Sequence, residues 1–214
     1  MKSAILKKLK PFAHFILTTL LVNCSSSPLQ IQTGDIVFRS VTNAELSEAI
    51  NEVTQTAKKS NYTHIGVCEV LNNMVYVYHS DSDTGVVKET IEEFYTSEKN
   101  DYSVDLFRIK NIDNNQLQQA LKKAKELVGK PYNFTYILED EGYYCSEYIY
   151  EVFKNDSVFT LEPMTFKNPK TKTFHEGWVN HYNNLGIPIP EDKLGCNPNG
   201  MANSNRLQFI ATIN

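Results

Sequence analysis

The sequence predicts an α+β domain in which an antiparallel sheet packs against helices. Three observations carry this expectation. Residues 64–79 read as a β-hairpin, two apolar-rich runs joined by an Asn72-Asn73 turn. Residues 114–128 place Leu117, Ala120, Leu121, Ala124, Leu127 and Val128 at three- and four-residue spacing, the stripe of a half-buried helix. Cys145 stands directly before another amphipathic run, Glu147 to Lys154, so a thiol is expected at the first turn of a helix.

The elements follow in chain order. Asp35 to Arg39 is a short apolar strand after Gly34. Thr42-Asn43-Ala44-Glu45 matches a capping box and opens a helix to about Lys58, with Leu46, Ile50 and Val53 on one face. The hairpin comes next, as His64–Leu71 and Met74–His79. Gly85 to Lys88 reads as a strand, Thr90 to Tyr95 as a helical turn, and Ser103 to Lys110 as a strand. Gly129 ends the long helix and Pro131 prevents its return. Residues 155–206 read as loops, rich in Gly and Pro, before a last strand at Leu207–Ile213.

The first 23 residues read as a targeting segment. Lys2, Lys7, Lys8 and Lys10 precede an apolar stretch, Pro11 to Val22, of signal-peptide and not membrane-spanning length. It ends at Leu21-Val22-Asn23-Cys24 and is followed by Ser25-Ser26-Ser27-Pro28, which resembles a bacterial lipoprotein signal with Cys24 as the lipid-bearing residue. Asn23 departs from the small residue usual before that cysteine. An ordinary secretory signal or an uncleaved anchor is the alternative. The expected organisation is therefore signal 1–23, tether 24–33 and one domain over 34–214, held at the membrane of the cell envelope, outside the cytoplasm. Removing the signal takes four of 21 basic residues and none of the 25 acidic ones, moving the net charge from −4 to −8. Such a chain is not expected to bind nucleic acid, which calls for a basic surface. Three cysteines besides Cys24 remain, an odd number. Cys68 and Cys196 can pair or stay apart. No cysteine spacing suggests a metal, and no cofactor is expected.

The chemistry-bearing residues centre on Cys145. A cysteine at a helix N-terminus feels the positive end of the helix dipole, so its pKa is expected below the free value of about 8.5. A thiol nucleophile also needs a base and a group that orients the base. Residues two apart on a strand share a face, so His64, Gly66 and Cys68 point the same way, and Gly66 leaves room beside His64. His79, on the partner strand, falls at the same end of the hairpin. Glu69 is the next polar residue by position. Cys68 is expected in the core, and His175 and His181, near Trp178, as surface or packing residues.

Five strings occur in a characteristic order: Gly34-Asp35-Ile36-Val37-Phe38-Arg39, Thr63-His64-Ile65-Gly66-Val67, His79, Gly129-Lys130-Pro131-Tyr132, and Tyr144-Cys145-Ser146-Glu147. The stretch from about 34 to 155 resembles the YiiX-like group of circularly permuted papain-like hydrolases. These are related to the NlpC-type cell-wall peptidases and, more distantly, to lecithin retinol acyltransferase. In the unpermuted relatives the cysteine helix precedes the histidine strand. The resemblance implies Cys145 as nucleophile, His64 as general base and His79 in the third position, where many members carry Glu. Tyr132 is then expected to line the substrate groove or to help bind the developing oxyanion. Glu147 has a sufficient structural role in the first helical turn.

The implied reaction is acyl transfer through a thioester. His64 takes the thiol proton, Cys145 attacks an acyl carbonyl, and its own backbone N–H is a natural oxyanion donor. Water then completes hydrolysis of an amide or ester. Cell-wall peptides and N-acylated amino acids are the expected substrates. An acyltransferase of the same fold differs only in the acceptor. A non-catalytic envelope lipoprotein binding a ligand in the groove is the third reading, and it predicts an unreactive Cys145.

Overall fold

The computed structural model describes residues 30–40, 45–56, 60–96 and 103–213. The proposed signal segment, Cys24, residues 24–29 of the tether and the cap at Thr42 lie outside the described residues.

A six-stranded antiparallel sheet organises the domain. Its strands are β1 (Ile36–Ser40), β2 (Tyr62–Leu71), β3 (Met74–Asp81), β4 (Gly85–Thr90), β5 (Ser103–Ile109) and β8 (Leu207–Thr212), in the order β4-β3-β2-β1-β5-β8. Asn72 and Asn73 both take positive φ, 51° and 63°. That is the primed turn whose twist suits a two-residue hairpin. The turn pairs Val67 with Tyr78 and Leu71 with Met74.

Alternation along the strands builds two cores. On one face Ile36, Phe38, Ile65, Val67 and Tyr78 pack with α3 (Asn114–Glu126) and α4 (Cys145–Val152). On the other, Val37, Cys68, Val77 and Leu106 pack with Ile91 and Phe94 of α2 (Ile91–Tyr95). Thr90 and Glu93 close a capping box at the start of α2, and Asp113 and Gln116 close another at α3. Helix α3 stops at Glu126, with Leu127 as its cap, so Val128 leaves the predicted stripe and is 45% exposed. Helix α1 (Glu45–Val53) ends short of the expected Lys58, and residues 57–59 are not described.

The motif after α3 is a joint between sheet and nucleophile helix. Val86 N–H donates to the Lys130 carbonyl, Gly129 N–H to Val86, and Tyr143 N–H to Pro131. Gly85 sits at φ +76°, and a Cβ there would lie 2.3 Å from the Lys130 oxygen, so only glycine allows this approach. Ser80 Oγ on β3 donates to the Tyr143 carbonyl, two residues before Cys145. Both strands of the β3–β4 hairpin thus hold the segment that delivers the cysteine.

Residues 155–206 are more ordered than their composition suggests. They form β6 (Glu162–Pro163) paired with β7 (Leu194–Gly195), α5 (Glu176–Leu185) and α6 (Pro198–Ala202). Helix α5 buries only Gly177, Trp178 and Tyr182, too sparse an apolar stripe to read as a helix. His175 caps it by accepting from Gly177 N–H, and its other nitrogen stands 2.9 Å from Glu52. His181 reaches the Phe134 carbonyl and packs against Tyr136 and Trp178. Both histidines therefore serve packing.

Gly66 is a close-approach position. A Cβ there would lie 2.4 Å from Val77 Cγ1 and 3.4 Å from His79 Cβ, so the room expected beside His64 is taken by these side chains. Gly66→Ala is expected to cost about 1–3 kcal/mol, the usual range for overpacking a core. Denaturant titration reads this as a lowered midpoint at unchanged slope. A wild-type midpoint would show that Val77 gives way freely.

Candidate active site

Helix α4 begins where its backbone needs it to. Tyr144 is extended at φ −77°, ψ 166°, and its N–H donates to Glu147 Oε2 at 3.1 Å. Asn133 Nδ2 holds the same oxygen at 3.2 Å. Burial pushes the Glu147 carboxyl up to about 7 against these hydrogen bonds. Glu147 is thus committed to the start of the helix, as its place in the first turn suggested.

Cys145 is buried, at 6% exposure, with Sγ 3.9 Å from the Thr63 carbonyl oxygen. The thiol therefore meets β2 at the residue preceding His64. Its pKa runs against the sequence expectation. Burial pushes it up to about 12, outweighing the N–H groups of Ser146 and Cys145 and the positive charge of Arg39. His64 is driven the other way, well below 6.5, by burial first and then by Arg39 and His79. Both partners are therefore neutral at rest. No hydrogen bond joins Sγ to His64 among the described residues: the His64 ring packs on Phe94 of α2, whereas Cys145 belongs to the core on the other face of the sheet. In sites of this kind the nucleophile–base contact commonly tightens only when substrate is bound.

The two imidazoles are in direct contact, with His64 Nε2 2.8 Å from His79 Nδ1 and the rings edge to face. Phe94 packs on both rings, and Arg39, opposite His64 in β1, lies over the Phe94 ring and donates to its carbonyl. The far nitrogen of His79, Nε2, stands 2.9 Å from Glu89 Oε1. Glu69, the substitute third position, points to the other face of the sheet, where Tyr78 and Lys125 hold it.

Tyr132 is half-buried beside the nucleophile. Its hydroxyl is within reach of the Cys145 backbone N–H and the thiol, and burial raises its pKa well above 10. The Tyr136 hydroxyl is 3.5 Å away. Tyr132 therefore borders the place where an oxyanion formed at Cys145 would sit. Cys68, Cys145 and Cys196 are all free. Cys68 lies in the α2-side core, whereas Cys196 packs by Tyr144 with the other cluster, so the two do not pair.

A cleft of about 660 Å³ opens on Cys145. Tyr132, Tyr136, Phe166 and Trp178 form an aromatic wall, and Ile50, Val158, Met164 and Met201 add apolar surface. Glu162 and Arg206 are its only charged lining residues among those described. The Arg206 guanidinium is occupied by the carbonyls of Lys110, Asn111 and Asp156.

Among the described residues, one group brings three potential metal-ligand atoms together: His64, His79 and Asp81, within 4.8 Å. An ion held by both imidazoles would have to replace the proton they share. The imidazoles are hydrogen-bonded to each other at 2.8 Å, which does not fit an open coordination site between them.

A general base works in its neutral form, so with His64 in that role its depressed pKa would set the acid limb of activity. As pH falls past 6.5 the base stays available, and it is lost only when pH passes the lowered value. The charged and titratable groups near it are Arg39, His79 and Asp81. The rate at which p-nitrophenyl octanoate acylates Cys145 should therefore stay unchanged as pH falls past 6.5 and drop only at lower pH. An acid limb centred at 6.5 or higher would contradict this environment.

Comparisons with known proteins place the chain in a family and fold. A family model described as the permuted papain-like amidase enzyme, YaeF/YiiX, C92 family, matches residues 30–211. YiiX of Escherichia coli strain K12 is 32% identical over 145 residues, which cover 66% of this chain and 67% of that protein. The crystal structure described as metalloprotein yiiX from Escherichia coli O157:H7 superposes with a TM-score of 0.70 at 25% identity, covering 86% of this chain and 99% of that one.

Proposed function

The chain belongs to the permuted papain-like amidase family and is a cysteine amidase-like hydrolase; from that premise we propose that it hydrolyses the amide bond of N-acylated amino acids. The observation that carries the substrate reading is the cleft at Cys145, which sets an aromatic and apolar wall beside uncharged Thr, Ser and Asn side chains and whose two lining charges include an Arg206 already engaged. Such a surface suits an apolar acyl group better than cell-wall peptides, which bring several carboxylates.

In this reading the acyl chain lies along Tyr136, Trp178 and Phe166 with its carbonyl at Sγ. His64 takes the thiol proton as Sγ attacks, which suits a pair that is neutral at rest. The N–H of Cys145 and the Tyr132 hydroxyl receive the oxyanion. The proton on His64 then passes to the leaving amine, and water, deprotonated by His64, releases the acyl group from the thioester. The metal in the description of the structural neighbour finds no room between these two hydrogen-bonded imidazoles. We further propose that Cys24 carries lipid and holds the enzyme at the cell envelope, on the strength of the signal-like segment before it.

The test is a series of N-acyl amino acids from acetyl to dodecanoyl, with release of free amino acid as the readout and muropeptides as the competing substrate. Each buried methylene is worth about 0.8 kcal/mol, or roughly fourfold in kcat/KM, until the cleft is full. Cleavage of muropeptides with no response to acyl length would overturn the substrate reading and leave the amidase chemistry intact.

A further inference from the structure

The sheet register stacks a third polar group behind the two imidazoles. Glu89 of β4 stands level with Val77, next to His79 on the same face, and puts Oε1 2.9 Å from His79 Nε2, a charge contact that is not aligned as a hydrogen bond. His79 Nδ1 lies 2.8 Å from His64 Nε2. The His79 side chain is 2% exposed and that of Glu89 26%, so the line runs from the protein edge into a buried pair. His64 Nδ1 has no hydrogen-bond partner among the described residues.

A neutral imidazole carries one N–H, so two linked neutral rings have two arrangements. In the first, His79 carries its proton on Nε2, facing Glu89. Its Nδ1 then accepts from His64 Nε2–H, and His64 Nδ1 is bare. In the second, both protons sit on Nδ1. His79 Nδ1–H donates to a bare His64 Nε2, His64 Nδ1 holds a proton, and the bare Nε2 of His79 faces the carboxylate. A carboxylate has no proton to offer, so the second arrangement sets a bare ring nitrogen beside a negative charge at 2.9 Å, whereas the first places an N–H there. Only the first leaves the base able to take a proton.

We propose that Glu89 is a positioning residue that sets the tautomers of His79 and His64 in series and so keeps His64 Nδ1 bare for the thiol proton of Cys145. The tautomer assignment rests on geometry alone; its consequence for turnover rests on the amidase reading above. The other charged groups around the pair are Arg39 from β1 and Asp81 from β3, while Phe94 of α2 is uncharged. Arg39 has no acceptor to offer, and Asp81 Oδ1 already accepts from Asp83 N–H.

The experiment is nitrogen NMR of the histidine rings in the full chain at pH 8, in the wild type, Glu89→Leu, Glu89→Gln and Asp81→Asn. In the wild type both His64 and His79 should carry their proton on Nε2. Glu89→Leu should move a measurable population of both to Nδ1, Glu89→Gln a smaller one, and Asp81→Asn none. Alkylation of Cys145 by iodoacetamide, read by peptide mass at the same pH, should slow about 10- to 100-fold in Glu89→Leu, short of the roughly 10,000-fold loss when a carboxylate touching the base is itself replaced. A proton on His64 Nδ1 in the wild type overturns the proposal without needing any variant to fold. So do unchanged tautomers in Glu89→Leu, or a shift in Asp81→Asn alone. Failure to hydrolyse any acyl amide would remove the substrate reading and leave the NMR result standing.

Discussion

Cys145→Ala is expected to lower turnover of an acyl amide by on the order of 10⁵- to 10⁶-fold, the usual cost of deleting a covalent nucleophile whose partners act as a unit. Nothing else at the cleft is placed to substitute. Ser146 Oγ is committed to the Cys196 carbonyl at 3.1 Å. Cys196 lines the same cleft, but its thiol packs against the Tyr144 hydroxyl, whereas the Cys145 thiol heads α4 and meets β2 beside His64. Cys196→Ala should therefore keep most of the activity. The covalent step gives an independent readout. p-Nitrophenyl octanoate should leave one octanoyl group on Cys145, lost on treatment with hydroxylamine, and none in Cys145→Ala. Loss of one buried sulfur should cost about 1 kcal/mol of stability, so a melting curve close to wild type accompanies the expected loss. An adduct on Cys196, or turnover surviving in Cys145→Ala, would remove the nucleophile assignment.

The scaffold was legible in the sequence because the sheet obeys local rules. Alternation in β2 and β3 and the Asn72-Asn73 turn determine which residues share a face, and that face already paired His64 with His79. Cys145 was legible from the helical run that follows it. Three things were not. The thiol pKa is a balance between a helix end, visible in sequence, and burial, which depends on how residues 155–206 fold over the cleft. Those residues carry their apolar contacts on widely spaced aromatics, Phe159, Phe166, Trp178 and Tyr182, which leave no periodic pattern. Arg39 and Glu89 reach the histidines only through strand register: Arg39 pairs with His64 across β1–β2, while Glu89 is two steps along β4 from Val87, the partner of His79. A surface-reading Val-Lys-Glu-Thr run gives no hint that its carboxylate turns inward.

Substitutions at the histidines should then show a graded pattern that follows from these contacts. His64→Ala removes the base and should cost on the order of 100- to 10,000-fold in acylation. His79→Ala keeps the base but takes away the acceptor of its Nε2–H, leaving a buried donor unpaired and the tautomer unspecified. The expected loss is smaller than for His64→Ala and falls on kcat more than on KM, because an oriented base matters chiefly in the transition state. His79→Glu introduces the carboxylate that the family resemblance implies at this position, but in this chain it would set a second carboxylate beside Glu89. Two close carboxylates do not both ionise readily, and one takes up a proton. A protonated Glu at 79 is a poorer partner for His64. His79→Glu alone should therefore recover only part of the activity lost in His79→Ala, and His79→Glu with Glu89→Leu should recover more. Steady-state kinetics on one N-acyl amino acid, with melting curves as the control for folding, decide the order. If the double variant is no better than His79→Glu, Glu89 does not act on residue 79, and if His79→Ala matches wild type, residue 79 has no part in the chemistry.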